Sequence, residues 1–115
     1  MNQSNALRTI GPTTYVAVTT SSSTAVTISA SGNNQMDYCA FLNTGTTPIA
    51  ITIVPVVAGT GTAGTTAFPA DGASAKVVVL GVSMQQPMVL AVPPVFSVTA
   101  LGTASVGLYI TPVSY

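Results

Sequence analysis

The sequence predicts an all-β fold: an antiparallel β-sandwich of jelly-roll type with about eight strands. Three observations predict it. Threonine and valine are the two most numerous residue types in the 115-residue chain, and β-branched side chains, restricted at χ1, suit a pleated surface. Eight prolines punctuate the chain, and no window carries the i, i+3, i+4, i+7 apolar stripe of an amphipathic helix. Turn clusters of Gly, Ser, Asn and Pro recur about every ten residues, the spacing of a sandwich. An immunoglobulin-like sandwich satisfies the same pattern, because periodicity does not fix topology.

Taken in order, residues 1–12 are mostly polar and aperiodic and end in Gly11-Pro12. They read as an extended N-terminal arm whose only charge is Arg8, ahead of a single domain over 13–115. Segment 14–20 alternates Val16 and Val18 against Tyr15, Ala17 and Thr19, and the serines at 21, 22 and 23 form a turn. Segment 24–29 places Val26 and Ile28 on one face, before the turn signal Ser31-Gly32-Asn33-Asn34. In 37–43, Tyr38, Ala40 and Leu42 alternate with Cys39 and Phe41. Bulk on both faces predicts a central strand. Asn43-Thr44-Gly45-Thr46-Thr47-Pro48 reads as a hairpin loop, and 49–54 sets Ile49, Ile51 and Ile53 in alternation until Pro55 ends the pairing or marks an edge.

Residues 58–75 form the one long region without a period, a length associated with functional or flexible loops. Strands at 76–80, 88–92, 95–100 and 106–111 complete the set. The last two carry Phe96, Val98 and Ala100, then Val106, Leu108 and Ile110. No repeat of solenoid length is visible.

Composition removes whole function classes. Charged residues are 3% of the chain, and all of them are Arg8, Asp37, Asp71 and Lys76. Two cations cannot neutralise the run of phosphates that nucleic-acid binding rests on, so no nucleic-acid partner is expected. The opening MNQSNALRT has no apolar core of a signal peptide, and the stretch 49–59 is about half a spanning helix and is broken by Pro55. The seven aromatics are too few for the girdles of a membrane barrel, so no membrane partner is expected either. Cys39 is the lone cysteine and reads as a buried thiol.

Catalysis is equally short of material. There is no histidine to serve as a general base or, with cysteine, to hold a metal. Asp37 and Asp71 are the only carboxylate side chains, and both stand beside turn residues. The glycine-rich run 59–64 has no helix after it and no lysine, so it is not a phosphate loop. The expectation is a non-enzyme without metal or cofactor. Zero formal net charge favours association, so a homo-oligomer, dimer or trimer, is expected. The candidate partner interface comprises Arg8, Phe68, Pro69, Asp71 and Tyr115. Phe68-Pro69 is an isolated aromatic and proline in a small-residue loop, which either folds back on the core or anchors in a partner's pocket.

The segment from Phe41 to Ile51, with its hydrophobic strand, Asn-x-Gly, small residues, Pro48 and alternating strand, resembles a hairpin of small tailed-bacteriophage structural proteins. The endings 96–101 and 108–112, and the Thr/Val/Ala/Gly/Ser texture with hardly any charge, resemble the same group. The resemblance is to capsid decoration or cement proteins. It implies a structural virion protein, made in the host cytoplasm and carried on the capsid surface, that binds major capsid protein subunits. A carbohydrate- or receptor-binding module of a head fibre or tail, using Tyr15, Tyr38 or Tyr109, is the alternative.

Overall fold

The computed structural model describes residues 8–30 and 37–114. It contains nine strands: β1 (Arg8–Thr9), β2 (Thr14–Val18), β3 (Val26–Ser29), β4 (Asp37–Asn43), β5 (Ile49–Pro55), β6 (Val78–Leu80), β7 (Met88–Val92), β8 (Val95–Gly102) and β9 (Val106–Ser114). A front sheet runs β1-β9-β4-β7, with β2 also on β9, and a back sheet runs β3-β8-β5-β6. Every pairing is antiparallel.

The pairings are nested. β2 pairs with β9, β3 with β8, β4 with β7 and β5 with β6. The chain is thus one long hairpin, doubled back at the β5–β6 connection and rolled so that successive pairs alternate between the two sheets. That is the jelly roll, and it separates this fold from the immunoglobulin-like sandwich.

Alternation fixes which residues turn inward. Val16, Val18, Cys39, Phe41, Leu108 and Ile110 of the front sheet meet Ile28, Ile49, Ile51, Leu80, Phe96 and Val98 of the back sheet in one buried cluster. Phe41 and Phe96 touch across it, with ring centroids 6.5 Å apart and tilted. β4 lies between β9 and β7, as bulk on both its faces predicts. Burial, with Asp37 nearby, pushes the Cys39 thiol up to about 12, so the free cysteine is a core residue and an unreactive one.

Nine strands accord with the expected count of about eight, and the added one, Arg8 and Thr9 inside the expected arm, pairs with Ser114 and Val113. Ile10 then donates its N–H to the Pro112 carbonyl, and Gly11 sits on the Pro112 ring. The described part of the arm is therefore seated on the sheet. The strand expected at 76–80 begins only at Val78, and the one expected to stop at 111 runs through Pro112 to Ser114. Proline is tolerated there for a geometric reason. A residue's N–H and C=O point to the same side of a strand, and the Pro112 carbonyl faces Ile10. The missing donor therefore falls where the chain steps from β1 to β2, away from β4. The Ser31–Asn34 turn lies outside the described residues.

Buried Asn43 ties the loops at one end of the sandwich. Its Nδ2 donates to the carbonyls of Thr47 (2.8 Å) and Gly81 (2.9 Å), and its Oδ1 accepts from the Gly45 N–H (3.0 Å). Ser83 N–H to Gly45 O and Met84 N–H to Asn43 O complete the clamp. The Asn-x-Gly spacing is thus accounted for by local hydrogen bonding, and the loop expected to close a hairpin instead carries the chain from the front sheet to the back, since β4 and β5 do not pair.

Candidate docking surface

Each sheet has an outward face, and the two are covered differently. On the back sheet, β8 turns Ser97 and Thr99 outward, yet both are buried. The β5–β6 connection covers them. A tight turn at 57–60, closed by reciprocal bonds between Val57 and Thr60, sends the chain back over the sheet. Ala63 N–H donates to Ser97 Oγ (2.9 Å), and the Thr99 hydroxyl donates to the Gly64 carbonyl (2.7 Å). Thr66, itself buried, bonds Thr52 Oγ1 at 2.8 Å and Thr99 Oγ1 at 2.7 Å, while its N–H reaches Ser22 Oγ at 3.0 Å. Residues 61–66 therefore form a strap held by hydroxyls. The expectation for 58–75 was functional or flexible; its first half is structural.

Beyond the strap, 69–76 is exposed throughout. Asp71 and Gly72 form the corner of a turn closed by Ala73 N–H to Ala70 O (2.9 Å), with Gly72 at φ +77°. A positive φ in second corner position is the type II requirement that glycine meets. Phe68 is half-buried and Pro69 exposed. The structure thus brings Phe68, Pro69 and Asp71 together on one loop of the β5–β6 connection. Arg8 is placed apart from them, on β1 of the other sheet. Tyr115 lies outside the described residues.

Among the described residues the front sheet has no such cover. Its outward residues fall into rows across the strands. Tyr15 stands opposite Tyr109, and Tyr109 opposite Leu42. In the next row Thr111 stands opposite Ala40 and Ala40 opposite Val89, with Thr13 joined to Thr111 by a hydroxyl–hydroxyl bond of 2.7 Å. A third row runs Thr9, Val113, Tyr38. Large residues thus make a ridge beside a trough floored by Thr111 and Ala40, and the hollow encloses about 400 Å³. Tyr15 is 57% exposed and Tyr109 40%, with ring centroids 5.3 Å apart. Gly107 makes this possible: a Cβ there would lie 2.6 Å from the Tyr15 ring, so the ring rests on bare backbone.

None of the four charged residues points from this face. Arg8 and Asp37 share the inward parity of Ser114 and Val92 on their own strand pairs, and Asp71 and Lys76 are on the β5–β6 connection. The outward positions of the back sheet, Thr27, Ala50, Thr52, Val54, Val79, Ser97 and Thr99 among them, are uncharged as well. Among the described residues no group of three or more His, Cys, Asp or Glu could hold a metal ion, and no helix is long and apolar enough to cross a membrane. Comparison with protein-family models, curated proteins and solved structures finds no match.

Sequence reasoning found the alternation that turns Tyr15, Tyr38 and Tyr109 outward, although Tyr38 is half-buried and only the other two are exposed. It missed the trough, since Thr13, Thr111 and Ala40 come from three separate segments, Thr13 lying just before β2. The size pattern T-x-Y, Y-x-T and A-x-L in those segments was its only trace.

Proposed function

We propose that this protein is a structural virion component, a non-catalytic jelly roll that decorates or cements a capsid by binding major capsid protein subunits. The observation that carries the reading is the absence of charged side chains from both broad faces. The apolar part of such a surface, Tyr15, Tyr109 and Val79 among it, gains free energy when contact removes it from water. Jelly rolls recur in capsid and lectin proteins, although a fold alone does not fix a role. The exposed loop 69–76, with Phe68-Pro69 at its root, offers an apolar anchor for a shell subunit.

The test is co-sedimentation of the purified chain with empty shells assembled from the major capsid protein of the same genome. Binding at a fixed ratio to shell subunits supports the reading, and a chain left wholly in the supernatant at high micromolar concentration rejects it. The exposed Tyr15–Tyr109 pair favours the second reading, a sugar- or receptor-binding module. Against it, the Thr13 and Thr111 hydroxyls bond to each other rather than facing a ligand. Selective binding of the isolated chain to one sugar class on a glycan array would favour that module.

A further inference from the structure

We infer that the front sheet's outward face is a two-fold interface that takes a second copy of this chain. The inference goes beyond capsid docking and stands without it. Its basis is the order of large and small side chains along the strands. On β2 and the residue before it, Tyr15 follows Thr13; on β9, Tyr109 precedes Thr111; on β4, Leu42 follows Ala40. Register lines up the three large residues in one row and the three small ones in the next. The rows are two residues apart, about 6.7 Å along the strands.

A face-to-face dimer has its two-fold axis in the plane between the sheets. Run that axis along the rows, midway between ridge and trough, and each strand meets its own copy reversed. Tyr109 then enters the space over Thr111 of the second copy and Leu42 that over Ala40, and position 15 stands opposite position 13. One row further out, the Tyr15 ring that lies over Gly107 comes against Val113 of the second copy. Tyr109 and Leu42 thus each face a small residue from their own strand, so a single operation fills both troughs. Strands so arranged are aligned, the usual way in which sheets stack at about 10 Å. The trough's two hydroxyls, Thr13 and Thr111, share a hydrogen bond of 2.7 Å beside the apolar Ala40. No charged side chain stands on the face to meet its own image.

Area sets the strength. The front sheet is four strands wide where β2, β9, β4 and β7 lie side by side. At about 4.8 Å per strand and about seven residues of 3.3 Å, each copy contributes roughly 440 Å². Two copies bury roughly 900 Å², just under the ~1,000 Å² of a specific stable interface. The dimer is therefore reversible and separates on dilution through the micromolar range.

Sedimentation velocity of the purified full chain tests this. Between about 1 and 300 µM the mass should rise from one chain of 11.5 kDa towards two. Tyr15→Lys and Thr13→Asp, both at exposed positions, should each leave a monomer throughout, with the circular dichroism of a folded β protein. Mixed together they should dimerise again, because the introduced lysine of one chain meets the introduced aspartate of the other. Val79→Lys, on the back face, should dimerise like the parent. The inference is overturned by a parent chain monomeric at 300 µM, by a trimer, by a mixture that stays monomeric, or by Val79→Lys abolishing assembly. A monomer that binds shells but loses them with Tyr15→Lys would assign this face to the capsid and sink the pairing alone. A dimer that ignores shells would sink the capsid reading alone.

Discussion

Asn43 and Thr47 stand at either end of the β4–β5 connection, and burial treats their polar atoms in opposite ways. All of Asn43's close bonds run to backbone: two donated to carbonyls and one accepted from an N–H. Asn43→Ala strands those groups inside the protein, at about 1–3 kcal/mol for each that water cannot reach. The expected loss is at least about 3 kcal/mol, read as a lower urea midpoint with an unchanged slope. The Thr47 hydroxyl oxygen is buried without a partner among the described residues. Thr47→Val keeps the shape and removes the stranded group, so it should stabilise by about 1 kcal/mol in the same assay. Cys39 adds a pH signature. Its folded-state pKa is raised to about 12, so the folded protein holds that proton longer than the unfolded chain. Stability from this group is full below about 9 and falls as pH rises towards 12. Iodoacetamide at pH 8 should leave the native thiol unmodified and label it in urea. The sequence made Cys39 legible as a core residue, because alternation with Phe41 is local. Asn43 was legible only as loop punctuation, since its partner Gly81 lies 38 residues away.

At the scale of the element, the strands were readable and the strap was not. Val16/Val18, Ile49/Ile51 and Phe96/Val98 announce their faces by a period of two. The strap has no period, because its contacts are single hydroxyls meeting single hydroxyls across strands. Thr66, Thr52 and Thr99 are unremarkable in a threonine-rich sequence until the β5–β6 connection folds back. Thr66→Val tests this element. It leaves the side-chain volume in place but removes the bonds to Thr52 and to the buried Thr99. A loss of about 1–2 kcal/mol is expected, with faster amide exchange over 61–66 and unchanged exchange in β4 and β9. Uniform protection across the strap in the variant would mean that its backbone bonds alone hold it. The pairing of Arg8 and Thr9 was unreadable for a related reason: two residues are too short a strand to show a pattern.

For the whole molecule, the β-sandwich followed from strand count and spacing, but the nesting of pairs that makes it a jelly roll did not, because pairing partners as far apart as Arg8 and Ser114 leave no local trace. The same long range explains why the surface chemistry could be read in advance. Whatever the topology, four charged side chains in 115 residues cannot cover two sheet faces, and the fold places them at strand ends and in one loop. Docking by this surface is therefore driven by apolar contact and hydroxyl or backbone hydrogen bonds. Contacts through charge weaken as the Debye length shrinks from about 14 Å at 50 mM salt to about 4 Å at 500 mM. An interface resting on several ion pairs loses orders of magnitude over that range, as highly charged interfaces do. Here the dimer constant from sedimentation, and shell binding where it occurs, should change by less than about threefold in sodium chloride. Sulfate, which strengthens burial of apolar surface by its exclusion from the protein, should tighten both. A hundredfold loss between the two chloride concentrations would place the binding on Arg8, Asp37, Asp71 and Lys76 instead, and single charge reversals at those residues would show which one.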